Sequence, residues 1–234
     1  MESDIRIFRA ATAAGVLVLI VGVALLFIYP PYLETLPPGF STPILALEFV
    51  TSLVDAQALV GNDPEVVAQM QTGHWVDMGF LCVYGALLAL TNLGFWKRLR
   101  RPLSLVGVFA ALIASSADLA ENINLLQLGE ALQGLSAPPD FWLLRLYVAT
   151  KFLGISAALL CLALPLWQQG RIGKAFALVS FLLVPMTVVG LSGPPVLAEA
   201  MGSLIALDWI LLLVWLLRRG KNTDTVPLQS GLSH

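Results

Sequence analysis

Charge is what this sequence has least of. Only 12% of its 234 residues are Asp, Glu, Lys or Arg, about half the share of an ordinary soluble domain, whereas 58% are apolar. A chain with mean hydropathy +0.84 and apolar runs of roughly 20 residues belongs in a bilayer rather than in water. Its 13 basic and 15 acidic residues leave no basic face, which excludes nucleic-acid binding as its main business. The two cysteines, Cys82 and Cys161, form no Cys-x-x-Cys pair, so neither a disulfide scaffold nor a thiol redox motif is present, and both read as buried small apolar residues. Two histidines, His74 and His234, are too few for a histidine-based metal or haem site. A Gly-rich phosphate loop, a Gly-x-Ser-x-Gly elbow and a His-Glu-x-x-His helix are all missing. No cofactor is called for, and no spacing among Asp77, Asp118 and Glu121 demands a metal.

What is present is a set of six apolar stretches of spanning length, at about 10–29, 75–95, 103–127, 141–167, 175–191 and 196–217. The first is too long for a signal-peptide core and is followed by Tyr29-Pro30-Pro31-Tyr32 rather than a small-residue cleavage site, so it reads as a retained span. The fifth is the shortest and carries Pro185 and Gly190, so a kink or an early end is expected there. The expected fold is all-α: a polytopic bundle of six transmembrane helices in one domain over 1–221, followed by a disordered cytoplasmic tail over 222–234.

The basic residues orient the chain. Arg6 and Arg9 precede the first span, Lys97, Arg98, Arg100 and Arg101 follow the second, Arg171 and Lys174 follow the fourth, and Arg218, Arg219 and Lys221 follow the sixth. Placing all of them in the cytoplasm leaves the outer loops without a basic residue, giving a plasma or inner membrane protein with both termini inside. The outer loops hold the proline pairs Pro30-Pro31, Pro37-Pro38, Pro138-Pro139 and Pro194-Pro195, which stiffen the turns there. The first outer connection, Pro30 to Gly73, contains a helical rhythm over 42–60 that puts Glu48, Thr51, Ser52 and Asp55 on one face. An amphipathic helix on the outer surface or over the mouth of the bundle is expected, as a cover or a lid.

The informative residues are ionisable groups within the spans, each of which costs ~2.5–3.5 kcal/mol at the centre of a membrane helix and therefore faces the interior and finds partners. Asp118, Glu121 and Asn122 share one face of the third span, with Ser115 a turn below. Two carboxylates on one such face repel unless a proton or a cation intervenes. Lys151 of the fourth span, on a face with Tyr147 and Thr150, is the preferred partner; Arg145 is rotated about 120° away and snorkels to the headgroups. His74, Asp77 and Tyr84 share a face of the second span, whereas Glu199 and Asp208 of the sixth face opposite ways. His74 and Glu199 read more readily as structural than as functional.

The candidate ligand-binding set is therefore Asp118, Glu121, Asn122, Lys151, Tyr147, Asp77 and Asp208. These groups define an outward-facing polar pocket that binds or passes a small cationic or lipid-like ligand. Two alternatives stand beside it: an accessory or assembly subunit whose buried charges specify packing, and a membrane-embedded enzyme with Asp118, Glu121 and Lys151 as its acid–base groups on a lipid-like substrate. The partners implied are membrane lipids together with a small ligand or another membrane subunit.

Overall fold

The computed structural model describes residues 2–30, 36–61 and 63–224, and the described residues contain helix but no strand. Six helices are long and apolar enough to cross a membrane: α1 (Glu2–Ile28), α4 (Pro64–Leu99), α5 (Pro102–Leu132), α6 (Phe141–Trp167), α7 (Gly170–Ser192) and α8 (Pro195–Asp224). Between α1 and α4 lie two short helices, α2 (Pro43–Glu48) and α3 (Leu53–Val60). The large apolar side chains that coat the outside, among them Leu26, Phe27, Phe109 and Leu178, are compatible with a multi-pass membrane protein. Each long helix packs on its sequence neighbour, and α8 returns to α1 to close a ring of six. Helix α2 rests on α6 and α8, and α3 on α5, so together they cap one end of the ring. The opposite, basic end carries Lys97, Arg98 and Arg171.

Short-range signals start most of these helices. Proline occupies the first helical position of α2, α4, α5 and α8, where its missing N–H costs nothing. Asp63 accepts the Glu65 N–H at 2.9 Å, and Asp140 accepts those of Trp142 and Leu143 at 2.8 and 3.2 Å. Asp63-Pro64-Glu65 is strong enough to begin α4 well before Trp75, the first residue of the expected second span, and this shortens the first connection. At the other end of α4, Arg100 takes a left-handed conformation (φ 52°) and turns the chain directly into Pro102.

The segment over 42–60 is helical as expected, but in two pieces. Ser52 breaks the run by capping α3, its hydroxyl accepting the Asp55 N–H at 3.1 Å, while Asp55 accepts the Thr51 hydroxyl at 2.6 Å. The shared polar face expected for Glu48 and Asp55 is thereby dissolved: Asp55 is exposed and Glu48 is buried. Hydrogen bonding to the carboxyl, first from Thr51, whose hydroxyl and amide both donate to Oδ2, and then from Ser52, holds Asp55 below its usual range. Pro185 is accommodated within α7, which continues to Ser192. Cys161 is buried as expected, but Cys82 lies on an exposed face of α4. Pro31, Tyr32 and the tail over 225–234 lie outside the described residues; helix α8 itself runs to Asp224.

Candidate functional site

Two close approaches set up the polar centre of the bundle. Gly154 of α6 lies so near α5 that a Cβ there would stand 2.9 Å from the Ala114 Cβ and 3.0 Å from the Ala110 carbonyl. One turn earlier on the same helix, this proximity delivers Lys151 to the acidic face of α5. Gly73 likewise leaves room for the Tyr29 ring against α4, which brings the Tyr29 hydroxyl to His74.

Lys151 is buried ~15 Å along α6 from its cap-side end, at 1.5 Å per residue. Its ammonium donates to Glu121 at 2.6 Å and to Glu48 at 2.9 Å, and stands 3.8 Å from Asp118. Around this ion cluster runs a continuous hydrogen-bond network. Tyr84 donates to Asp118 Oδ2 at 2.7 Å. Asn122 Nδ2 faces Asp77 Oδ2 at 2.8 Å and Asp118 Oδ1 at 3.1 Å, while its Oδ1 lies 3.1 Å from His74 Nδ1. With the amide oriented by two carboxylates, the network assigns the His74 proton to Nδ1, donating to Asn122. Tyr29 closes the chain, its hydroxyl 3.2 Å from the same ring nitrogen.

The electrostatics are unbalanced. Glu48, Asp118 and Glu121 stand within 4 Å of a single ammonium and Asp77 joins them through Asn122, and ionised carboxylates so placed repel unless protons or a further cation intervene. Burial pushes the Glu48 carboxyl above its usual range, and the Lys151 ammonium pulls it back only in part. Glu48 Oε2 has no hydrogen-bond partner among the described residues, and Asp77 makes no ion pair among them. The described Asp, Glu, His and Cys side chains hold no group arranged to ligate a metal.

A cavity of about 700 Å³ reaches this cluster, within the size range of small-molecule sites. Glu48, Asp77, Asp118 and Lys151 line its polar part. Tyr29, Phe80, Phe152 and Trp209 form an aromatic wall, on which Trp209 stacks against Tyr84 at a centroid distance of 5.8 Å and leaves its indole N–H without a partner among the described residues. The remainder is apolar surface of α1 and α8, including the exposed side chains Val23, Leu26 and Ile210. Helices α1 and α8 meet toward the basic end, at Phe8–Trp215 and Gly15–Leu213, and the cavity occupies the gap between them on the cap side. Ser41, Thr42 and Pro43 roof it, tied to α8 by the Ser41 and Thr42 amides and the Thr42 hydroxyl, which all donate to Glu199 at 2.8 Å.

Of the candidates named from sequence, Asp77, Asp118, Glu121, Asn122 and Lys151 come together here. Tyr147 stands outside the cavity lining, and Asp208 accepts a hydrogen bond from Ser180 at 3.0 Å between α7 and α8. Arg145 is exposed, whereas His74 joins the network and Glu199 pins the roof. Sequence reasoning missed Glu48, Tyr29 and Trp209. The signal for Glu48 was its isolation in the apolar run Leu45-Ala46-Leu47-Glu48-Phe49-Val50, which makes a solvated helix face a poor reading. No family model matches the chain, and neither a curated protein nor a solved structure matches it.

Proposed function

We propose that the protein is a multi-pass protein of a plasma or inner membrane that binds an amphipathic cation, an amine or quaternary ammonium head on an apolar tail. The ligand enters sideways between α1 and α8 in the outer leaflet. Both termini and the basic end are cytoplasmic, and the α2–α3 cap is outside. The observation that carries this reading is the polarity of the cavity: three carboxyls against one ammonium and an aromatic wall at its inner end, apolar helix faces at its mouth. A cation there meets the carboxyls of Asp77 and Glu48 and gains from the ring faces of Trp209 and Tyr29, the combination that selects ammonium groups. An apolar tail lies against Val23, Leu26 and Ile210, in continuity with the surrounding hydrocarbon.

Native mass spectrometry and tryptophan fluorescence of the purified full chain, titrated with dodecylamine and with dodecanol, test this. Dodecylamine binds and perturbs Trp209 emission, dodecanol binds at least roughly tenfold more weakly, and Asp77→Asn lowers dodecylamine affinity by a similar factor. Asp118→Asn has the same direction. Equal binding of the two ligands, or an unchanged affinity in folded Asp77→Asn protein, overturns the reading and leaves the charges as helix-packing devices.

A further inference from the structure

All 13 Lys and Arg residues of the sequence lie within residues 2–224, and all but Arg145 and Lys151 belong to the helix ends opposite the cap. Arg145 is exposed and lines no part of the cavity under the cap. Lys151 is therefore the one Lys or Arg in the cavity wall, where it stands with Glu48, Asp77 and Asp118.

These carboxyls are not equivalent. Glu48 and Asp118 share the Lys151 ammonium with Glu121, each within 4 Å of it. Asp77 makes no ion pair among the described residues. Its Oδ2 accepts from the Asn122 amide at 2.8 Å, and that amide also lies 3.1 Å from Asp118 Oδ1. Asp77 is half-buried, whereas Glu48 and Asp118 are buried, so among the three it is the most open to what enters the cavity. The titratable groups around it are Tyr29 of α1, Glu48 of α2, and His74 and Tyr84 of its own helix. Asp118 and Glu121 of α5 and Lys151 of α6 complete them, and α8 contributes to the wall only Ala206, Trp209 and Ile210.

A carboxylate so placed, beside another and beyond reach of the lysine, is relieved in either of two ways, by a proton or by a cation. Both act on the same oxygens, so each opposes the other. We propose, building on the amphipathic-cation reading of this cavity, that proton and cation compete at Asp77, so that each ammonium head bound expels one proton. In that exchange the Asp77 O–H bond breaks and its electron pair stays on the carboxylate. The proton passes to bulk water, and the ammonium enters with its own substituents intact. The charge within the cavity is the same before and after, so no further net charge is buried.

Dodecyltrimethylammonium, whose charge is permanent, is the probe. Its binding to the full chain in non-ionic micelles is followed by calorimetry from about pH 8 to about pH 5, in phosphate and in Tris, whose different ionisation enthalpies report the protons exchanged. Affinity falls on acidification, approaching roughly tenfold per pH unit, as proton release approaches about one per cation bound. Asp77→Asn binds more weakly, releases no proton and has an affinity independent of pH, so the two proteins converge at the acid end. A folded Asp77→Asn protein that still releases a proton overturns Asp77 as the shared group. Binding to the unaltered protein with neither proton release nor pH dependence overturns the exchange and leaves the cation reading standing, whereas absence of binding overturns both. Should Asp77→Asn fail to fold, the slope of affinity against pH in the unaltered protein decides by the same criterion.

Discussion

Lys151 and Asp208 are both ionisable groups buried among the long helices, and their surroundings could hardly differ more. Lys151 sits between α4, α5, α6 and the cap with three carboxylates within 4 Å, at the wall of a cavity. Asp208 sits between α7 and α8 with one serine hydroxyl for company and no ion-pair partner among the described residues. Nearby, Ser156 and Thr187 pair their hydroxyls at 2.6 Å across α6 and α7. The α6–α7–α8 side is therefore joined by single hydrogen bonds of the kind that fasten helices, and the α4–α5–α6 side by a connected charged network beside a cavity. A buried charge is informative about function when it is over-supplied with like-charged neighbours and faces a cavity. A solitary one with a hydroxyl partner is explained by packing.

That contrast can be broken most directly at its charged end. Lys151→Met leaves Glu48, Glu121 and Asp118 facing one another without a cation and is expected to cost about 3–5 kcal/mol, read by denaturation in detergent micelles. A cost below about 1 kcal/mol would show that the carboxyls are neutral without the lysine and that the cluster is no ion network. Asp208→Asn sharpens the other side. The amide oxygen still accepts from Ser180, so the expected cost is within about 1 kcal/mol and ligand binding in the cavity is unchanged. If the two substitutions proved equally damaging, the distinction between the two sides of the bundle would fall.

The smallest effect belongs to the cap. Asp55 has its carboxyl held low by Thr51 and Ser52, so ionised Asp55 contributes stability that is fully present above its unfolded value and is lost as pH falls through the lower folded one. Asp55 is exposed, and only local fraying follows. Amide exchange at the start of α3 is expected to quicken between about pH 5 and about pH 3 beyond its intrinsic pH dependence, and Asp55→Ala is expected to abolish that excess. The network around Lys151, shielded from the same change, should keep its protection over this range. Simultaneous loss in both places would mean that cap and cluster open as one unit.

Much of this was legible in the residues. The six spans follow from local composition, and the shared face of Asp118, Glu121 and Asn122 follows from helical spacing, as does the choice of Lys151 over Arg145. The helical rhythm over 42–60, read as one helix through Ser52, puts Glu48 on a shared face with Thr51, Ser52 and Asp55. The cap at Ser52, a hydrogen bond between neighbours, lets the two pieces turn independently and sends Glu48 inward. The early start of α4 was marked by Asp63-Pro64-Glu65, but the polar side chains of its first turns drew the boundary toward the apolar run instead.

The sequence by itself determined six largely apolar spans and which polar residues share a face of the second, third and fourth. In hydrocarbon, backbone satisfaction and side-chain transfer are properties of each segment alone. Only the tertiary structure decided which of those faces meet. Closing the ring brought Glu48 to a lysine 103 residues away, left Asp208 outside the cluster, and opened a cavity between α1 and α8. Such encounters depend on helix rotation and close approach, at places such as Gly154 against Ala114, and no window of sequence contains both partners.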